Sequence, residues 1–443
     1  MRLERIALQN YRRFEEFEIG LHPELTIIVA RNGQGKTTVL EAIAAALGPF
    51  VGAFDLGRAE HIRRTDARYG VLEGGYENVQ NFPVIIAATL SEPAIEWQRT
   101  LQSAKGRTTT KEAAPLANWG ARLQKELRTT AEVPLPVLRY YSSKRLWVSH
   151  KNVSSKGILT ESRTAGYEDC LSSLSSFVQL QEWVKKATQA VQQQREMPGY
   201  EKSNLDSRLK GIQQAVATVM AEEGWSNFHY SYIFDELAMT HPEHGALPIS
   251  ILSDGVRAMI SLAADLALRC VRLNGYLGEH APKKSSGIVL IDEVDLHLHP
   301  AWQQRVVQAL RQAFPNLQFI VSSHSPQVLS TVKRDSIRVV FKDADGRWQA
   351  KAPDQEILGL ESAIALNDVM GVNPIPAVDE AQLIADYTAA IENGLHDKPE
   401  SLALRERLRT IYGAGHPVLC DADRLIRFQN FKLRQAAKTE GQS

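Results

Sequence analysis

The sequence predicts an α/β fold on a mixed sheet, with an inserted helical arm and a helical C-terminal region. Three observations predict it. A continuous apolar run, Leu25–Val29, leads through a glycine-rich loop into an amphipathic helix. Strands and helices alternate regularly from Ile249 to Val321. Between these parts, residues 151 to about 225 are polar, glutamine-rich and helical in period. In chain order, Ile6–Leu8 and Phe17–Ile19 are short strands. Leu25–Val29 is apolar on both faces, as a parallel strand buried in the middle of a sheet must be. The helix from Lys36 places Val39, Leu40, Ile43 and Leu47 on one face, and Gly48-Pro49 is expected to end it. Pro83–Leu90 and Leu135–Tyr141 are further strands. Beyond Ile249 come a turn, a helix through Arg269, an exposed loop over 281–287, the strand Ile288–Ile291, a helix from about Ala301 and the strand Leu317–Val321. After Phe341 strand character fades into short helices broken by Pro374, Pro376 and Gly394. The expected division is 1–110, 111–248, 249–345 and 346–443.

Composition excludes several classes. Of 443 residues, 44% are hydrophobic and 23% charged, which is enough apolar material for a large core. Lys+Arg and Asp+Glu both number 51, so no global positive field recruits nucleic acid or an anionic membrane, and any such surface is local. Cys170, Cys270 and Cys420 are far apart and lack metal-site spacing, as in a reducing compartment. The N-terminus has no signal-peptide core and no run of about 18 apolar residues occurs. A cytoplasmic location with no membrane partner is therefore expected.

The loop Ala30–Thr37 lies between the buried strand and the first helix, where backbone N–H groups and a helix N-terminus can surround a phosphate. Asn32, Gly33, Gln34, Gly35, Lys36, Thr37 and Thr38 are the candidate nucleotide-binding residues. Lys36 supplies charge to phosphate oxygens, and the Thr37 hydroxyl is a candidate Mg2+ ligand. Ala30 stands where the usual motif has glycine, so this position must be extended or the loop altered. Gly287–Glu293 is an apolar strand ending in two carboxylates. Asp292 is suited to hold Mg2+ with Thr37, and Glu293 to activate water. The histidines of Asp295–Pro300 are spaced by one residue, without the cysteine or carboxylate partners a metal site would need.

Leu252-Ser253-Asp254-Gly255 opens a helix about 35 residues before the acid pair and resembles the LSxGx signature of ABC-type ATPases. With the strand Phe319–Val321 leading to His324, and the opening Asn10-Tyr11-Arg12-Arg13-Phe14, these motifs resemble the RecF/SMC/OLD branch of that superfamily. The resemblance implies an ABC-type P-loop NTPase head that binds ATP and Mg2+. It also implies a homo-oligomer, at least a dimer, in which Ser253, Asp254 and Gly255 face the nucleotide of a second copy. His324 would contact the γ-phosphate, and Arg12 or Arg13 would reach the nucleotide. Tyr140-Tyr141 with Arg145, Arg163–Tyr167 and Asn373–Pro376 extend the similarity to stand-alone ATPases of antiphage systems, the PtuA ATPases of Septu and those accompanying some retrons. That similarity implies control of a separate HNH nuclease such as PtuB, and contact with retron RNA–DNA or DNA. Two other readings stand beside it, a RecF-like DNA-repair ATPase and an OLD-type nuclease. Asp421-Ala422-Asp423 superficially suits the latter but reads as a helix N-terminus. The C-terminal Arg424, Arg427 and Lys432, interleaved with Phe428 and Phe431, suit docking on a protein or on phosphates.

Overall fold

The computed structural model describes residues 1–71, 78–143, 159, 162–172, 177–197 and 204–440. Strands β1 (Arg2–Tyr11) and β2 (Phe14–Gly20) form an antiparallel hairpin, longer than the short segments expected. Strand β3 (Leu25–Val29) is buried at every residue and feeds α1 (Lys36–Val51). This helix does not stop at Gly48-Pro49. Proline lacks the N–H that would satisfy the Ala45 carbonyl, and Arg99 Nη1 donates to that carbonyl instead, while Trp97 Nε1 donates to Ala46 O at 2.8 Å. Two side chains from a neighbouring strand thus carry the helix past its proline. Strands β4 (Tyr69–Val71) and β5 (Asn78–Gln80) pair with each other. Strands β6 (Val84–Glu92) and β7 (Ile95–Leu101) complete an antiparallel sheet ordered β2-β1-β6-β7. Helix α2 (Ala114–Glu126) packs on α1, and β8 (Val137–Tyr141) follows, buried throughout.

The glutamine-rich stretch forms α3 (Phe177–Glu196) and α4 (Leu205–Met220). Both bury apolar stripes that include Leu180, Trp183, Ile212 and Val216, so the described parts of the inserted helical region pack as a layer on the core. A three-stranded antiparallel sheet of β9 (Ser226–Ser231), β10 (Glu236–His241) and β11 (Gly245–Pro248) precedes α5 (Asp254–Leu273), against which α3 and α4 pack. The segment expected as an exposed loop holds the short helix α6 (Ala281–Lys284). Ala281, Pro282 and Ser285 are buried because the Asn274 amide draws the chain in, donating to Ser285 Oγ at 2.9 Å.

Then come β12 (Gly287–Ile291), α7 (Pro300–Gln303), α8 (Val306–Ala313), β13 (Leu317–Ser322), α9 (Pro326–Leu329), β14 (Ile337–Lys342) and β15 (Trp348–Lys351). The main sheet runs β15-β14-β3-β13-β12-β8. Five strands are parallel, and β15 is antiparallel at the edge, which makes the sheet mixed. Strand structure therefore continues past Phe341. Gly346, at φ 79°, supplies the left-handed turn that returns β15 onto β14.

After α10 (Ser362–Asp368) the chain divides into two compact units, 1–371 and 372–443. The division falls after residue 371, not at 345, because β15 and α10 pack with the first unit. The second unit contains α11 (Asp379–Glu392), α12 (Pro399–Tyr412) and α13 (Pro417–Glu440) around Tyr387, Ile391, Leu408 and Leu419. Among its described residues there is no strand. Asp421 and Asp423 lie in the first turns of α13, paired with Arg424 at 3.1 Å and Arg405 at 2.7 Å. Among the described residues, no helix is long and apolar enough to cross a membrane.

Candidate nucleotide site

The loop from β3 to α1 turns through Gly33 and Gly35, whose φ angles of 72° and 98° lie in the left-handed region. Gly35 has a second reason to lack a side chain. A Cβ there would lie 2.6 Å from Phe14 Cζ and 2.9 Å from Arg13 Cδ. Ala30 is buried and is not among the residues of positive φ, so alanine meets no backbone penalty at that position. Gln34 braces the loop: its Oε1 accepts from Arg31 N at 3.1 Å, and its own N–H donates to Arg31 O at 3.1 Å. Asn32 and Gly33 are exposed at the tip, and Thr38 is half-buried in the first turn of α1. Lys36 folds back so that Nζ donates to Ala30 O at 3.0 Å. Burial lowers the Lys36 pKa, and Asp292, Glu293 and Asp295 pull it the other way.

Strand β12 ends beside this loop. Thr37 Oγ1 donates to Asp292 Oδ2 at 2.8 Å, joining residues 255 positions apart in sequence. The other Asp292 oxygen accepts from Ser322 Oγ at 2.6 Å, and the Asp292 N–H donates to Tyr141 O at 2.8 Å. Ser322 also accepts from Glu293 N at 2.8 Å through Oγ and from Val294 N at 3.0 Å through its carbonyl. Glu293 has φ 50°, so the chain turns sharply after Asp292. Nothing in the sequence assigns Ser322 a role. Its only signal there is a small hydroxyl residue ending the strand next to the acid strand. The oxygen donors Thr37 Oγ1 and Asp292 Oδ2 face each other at the ends of the parallel strands β3 and β12, a donor set that fits Mg2+.

His324 is half-buried after β13, and its backbone N–H donates to Asp295 Oδ1 at 3.4 Å. Burial and the charge of Lys36 lower its pKa, against Asp295 and Asp292, so the ring stays neutral at neutral pH. Of the two arginines in the opening motif, Arg13 lies against Gly35 with its guanidinium 5.3 Å from the Trp348 ring centre. Arg12 is turned away toward Glu41 of α1, with which it pairs, and toward Asp66, with which it pairs at 2.9 Å. Arg145 lies outside the described residues.

The turn before α5 has a different character. Ser253 occupies the N-cap position, is exposed and makes no side-chain cap bond, while Asp254 pairs with Arg257 at 2.5 Å. Gly255 abuts the loop after the acid pair: a Cβ there would lie 2.6 Å from His297 O. His299 Nδ1 accepts from Ala301 N at 3.3 Å and caps α7. The P-loop, acid pair and His324 therefore converge within one chain, and the Ser253 hydroxyl faces outward.

Two family models match. One described as "AAA domain" covers residues 5–222, and one described as "AAA domain, putative AbiEii toxin, Type IV TA system" covers residues 181–330. The chain is 24% identical to the Retron Vc95 probable ATPase of Vibrio cholerae, over 93% of this chain and 88% of that protein. It is 25% identical to the Retron Ec83 probable ATPase of Escherichia coli, over 95% of this chain and 86% of that protein. It is also 35% identical to the Septu protein PtuA of Bacillus mycoides, over 26% of this chain and 15% of that protein.

Proposed function

We propose, from the premise that this chain belongs to the ABC-type AAA ATPases, that two copies close around ATP and Mg2+ and that closure governs a partner effector nuclease in antiphage defence. The observation that carries the nucleotide part is the contact between Thr37 Oγ1 and Asp292 Oδ2, which joins the phosphate loop to the acid strand. The likeness to retron ATPases along most of the chain, and to PtuA along part of it, supports the defence setting. An HNH nuclease such as PtuB is the proposed effector, with retron RNA–DNA or DNA as a further contact.

Each residue has a physical task. Backbone N–H groups of the Gly33–Thr37 turn and the N-terminus of α1 surround the β-phosphate, and Lys36 leaves Ala30 O to meet the β and γ oxygens. Thr37 and Asp292 would hold Mg2+, which when bound neutralises charge on the phosphates. Ser322 orients Asp292 with one bond and the Glu293 backbone with another. The Glu293 carboxylate takes a proton from the attacking water. His324, kept neutral by burial and Lys36, donates or accepts at the γ-phosphate without adding a second buried charge. Ser253 and Gly255 of a second copy cap that phosphate with an uncapped hydroxyl and the N-terminal N–H groups of α5.

Glu293→Gln is the test. It should keep ATP affinity, lower turnover by about 10²–10⁴-fold and accumulate nucleotide-bound dimers, measured by phosphate release and light scattering. Unchanged turnover would remove Glu293 from this role. Mixing Lys36→Ala with Ser253→Ala subunits should restore one competent site per dimer, and absence of rescue at every ratio would show that each copy works alone. Co-purification of a neighbouring-gene HNH protein tests the effector. A lone chain that cuts DNA would overturn that part.

A further inference from the structure

Tyr140-Tyr141 and Arg163–Tyr167 stand out in the sequence and take no part in the nucleotide chemistry above. Tyr141 and the Arg163–Tyr167 segment lie around a buried charge cluster between α5 and β8. Asp265 on α5 and Arg139 on β8 are 5% and 1% exposed, and Arg269, one turn after Asp265, is 5% exposed. Asp265 Oδ2 accepts from Tyr141 Oη at 2.7 Å, from Arg139 Nε at 3.1 Å and from Arg269 Nε at 3.3 Å. The arginines also reach the segment that covers the β8 edge: Arg139 Nη1 donates to Asp169 O at 2.9 Å, and Arg269 Nη1 donates to Gly166 O at 2.8 Å. Arg163 Nε donates to Leu273 O at 2.7 Å, the last residue of α5, and a Cβ on Gly166 would lie 2.5 Å from Leu273 Cγ. Burial pushes the Asp265 carboxyl up, yet Arg269 and Arg139 hold it below the ordinary carboxylate range.

Three buried charges are a poor way to add stability, because apolar side chains of the same volume do as well without desolvation. What directional bonds add is a unique placement of one element on another. Here the elements are informative. Helix α5 begins at Ser253 and Gly255, and β8 ends at Tyr141, whose carbonyl accepts from Asp292 N at 2.8 Å. One strand therefore touches both the backbone of the Mg2+-binding acid and the middle of the helix that carries the capping turn. With 20 residues, α5 spans about 30 Å and transmits a shift at Asp265 to its N-terminus as a rigid body.

We infer that Asp265 is a positioning residue that locks α5 to β8, setting the capping turn of each copy at a defined distance from that copy's own acid pair. This rests on the reading that Ser253 and Gly255 cap the nucleotide of a second copy. Two composite sites can close together only if that distance matches on both sides.

The test uses full-length Glu293→Gln protein carrying Asp265→Asn or, as the milder change, Tyr141→Phe. Ile6→Val, in the antiparallel sheet, is the control for lost stability and is brought to equal stability with urea. Both cluster variants should bind ATP as single copies within about twofold of the parent, weaken ATP-driven dimers about tenfold or more, and speed amide exchange in the first turns of α5 about tenfold. Equal dimer loss in the matched Ile6→Val control, or unchanged exchange over Val256–Ile260, overturns the inference. If the Glu293→Gln parent itself fails to dimerise with ATP, the proposed function falls, and the exchange comparison still decides the role of Asp265.

Discussion

The acid strand and the proposed capping turn before α5 are built in opposite ways. At the end of β12, Asp292 is 1% exposed and has both carboxylate oxygens bonded, to Thr37 and to Ser322. At the start of α5, Ser253 is exposed and caps nothing, and neighbouring Ile251 is 64% exposed. The first is preorganised by its own chain. The second presents donors and apolar surface that its own chain leaves unused, as a surface that works on another molecule does.

The comparison can be broken by substitution, and Gly255→Ala should have the largest effect. Its Cβ meets His297 O at 2.6 Å, backbone that cannot swing away, so closure of two copies should weaken by up to about 3 kcal/mol in sedimentation of ATP-bound Glu293→Gln protein. Ser322→Ala comes next. It strips a partner from Asp292 and from Glu293 N, and should lower stability by about 2 kcal/mol in urea unfolding and reduce turnover. Ser253→Ala sharpens the contrast. An N-cap serine usually contributes about 1 kcal/mol to its helix, but this one makes no cap bond, so the unfolding midpoint should not move while ATP-driven dimerisation weakens. A fall in midpoint equal to an ordinary cap deletion would place Ser253 with the preorganised acid strand.

The smallest effect is a pH slope. The folded-state pKa of His324 lies below its unfolded value, so between the two the unfolded chain binds more protons. Stability is therefore lost as pH falls through the unfolded value near 6.5 toward the folded one, and is fully present above it. His324→Asn should flatten that part of a stability–pH profile without affecting the profile at pH 8.

Much of the site is legible because local sequence dictates it. Leu25–Val29 can only be a doubly buried strand, the next turn needs glycine at two left-handed positions, and Asp292-Glu293 ends a strand of five buried residues. What was illegible depends on partners distant in sequence. Helix α1 continues through Pro49 because Arg99 supplies a donor from β7. The segment 281–287 is drawn inward by Asn274. Helices α3 and α4 look solvent-facing by composition, yet their apolar stripes are narrow and sufficient to pack on α5.

The choice between Arg12 and Arg13 shows the division most clearly. Sequence places two adjacent arginines after a strand and treats them alike. Only the fold brings Asp66 and Glu41 to one and Gly35 to the other. Backbone periodicity, glycine conformation and the order of phosphate loop, capping turn, acid pair and histidine are local properties, so the chain alone determined the P-loop head and its candidate chemistry. Pairings such as Thr37 with Asp292, Ser322 with both acids, and Asp265 with Arg139 join residues at least 29 positions apart. Their geometry is set by how strands align and helices pack, and no local pattern encodes it.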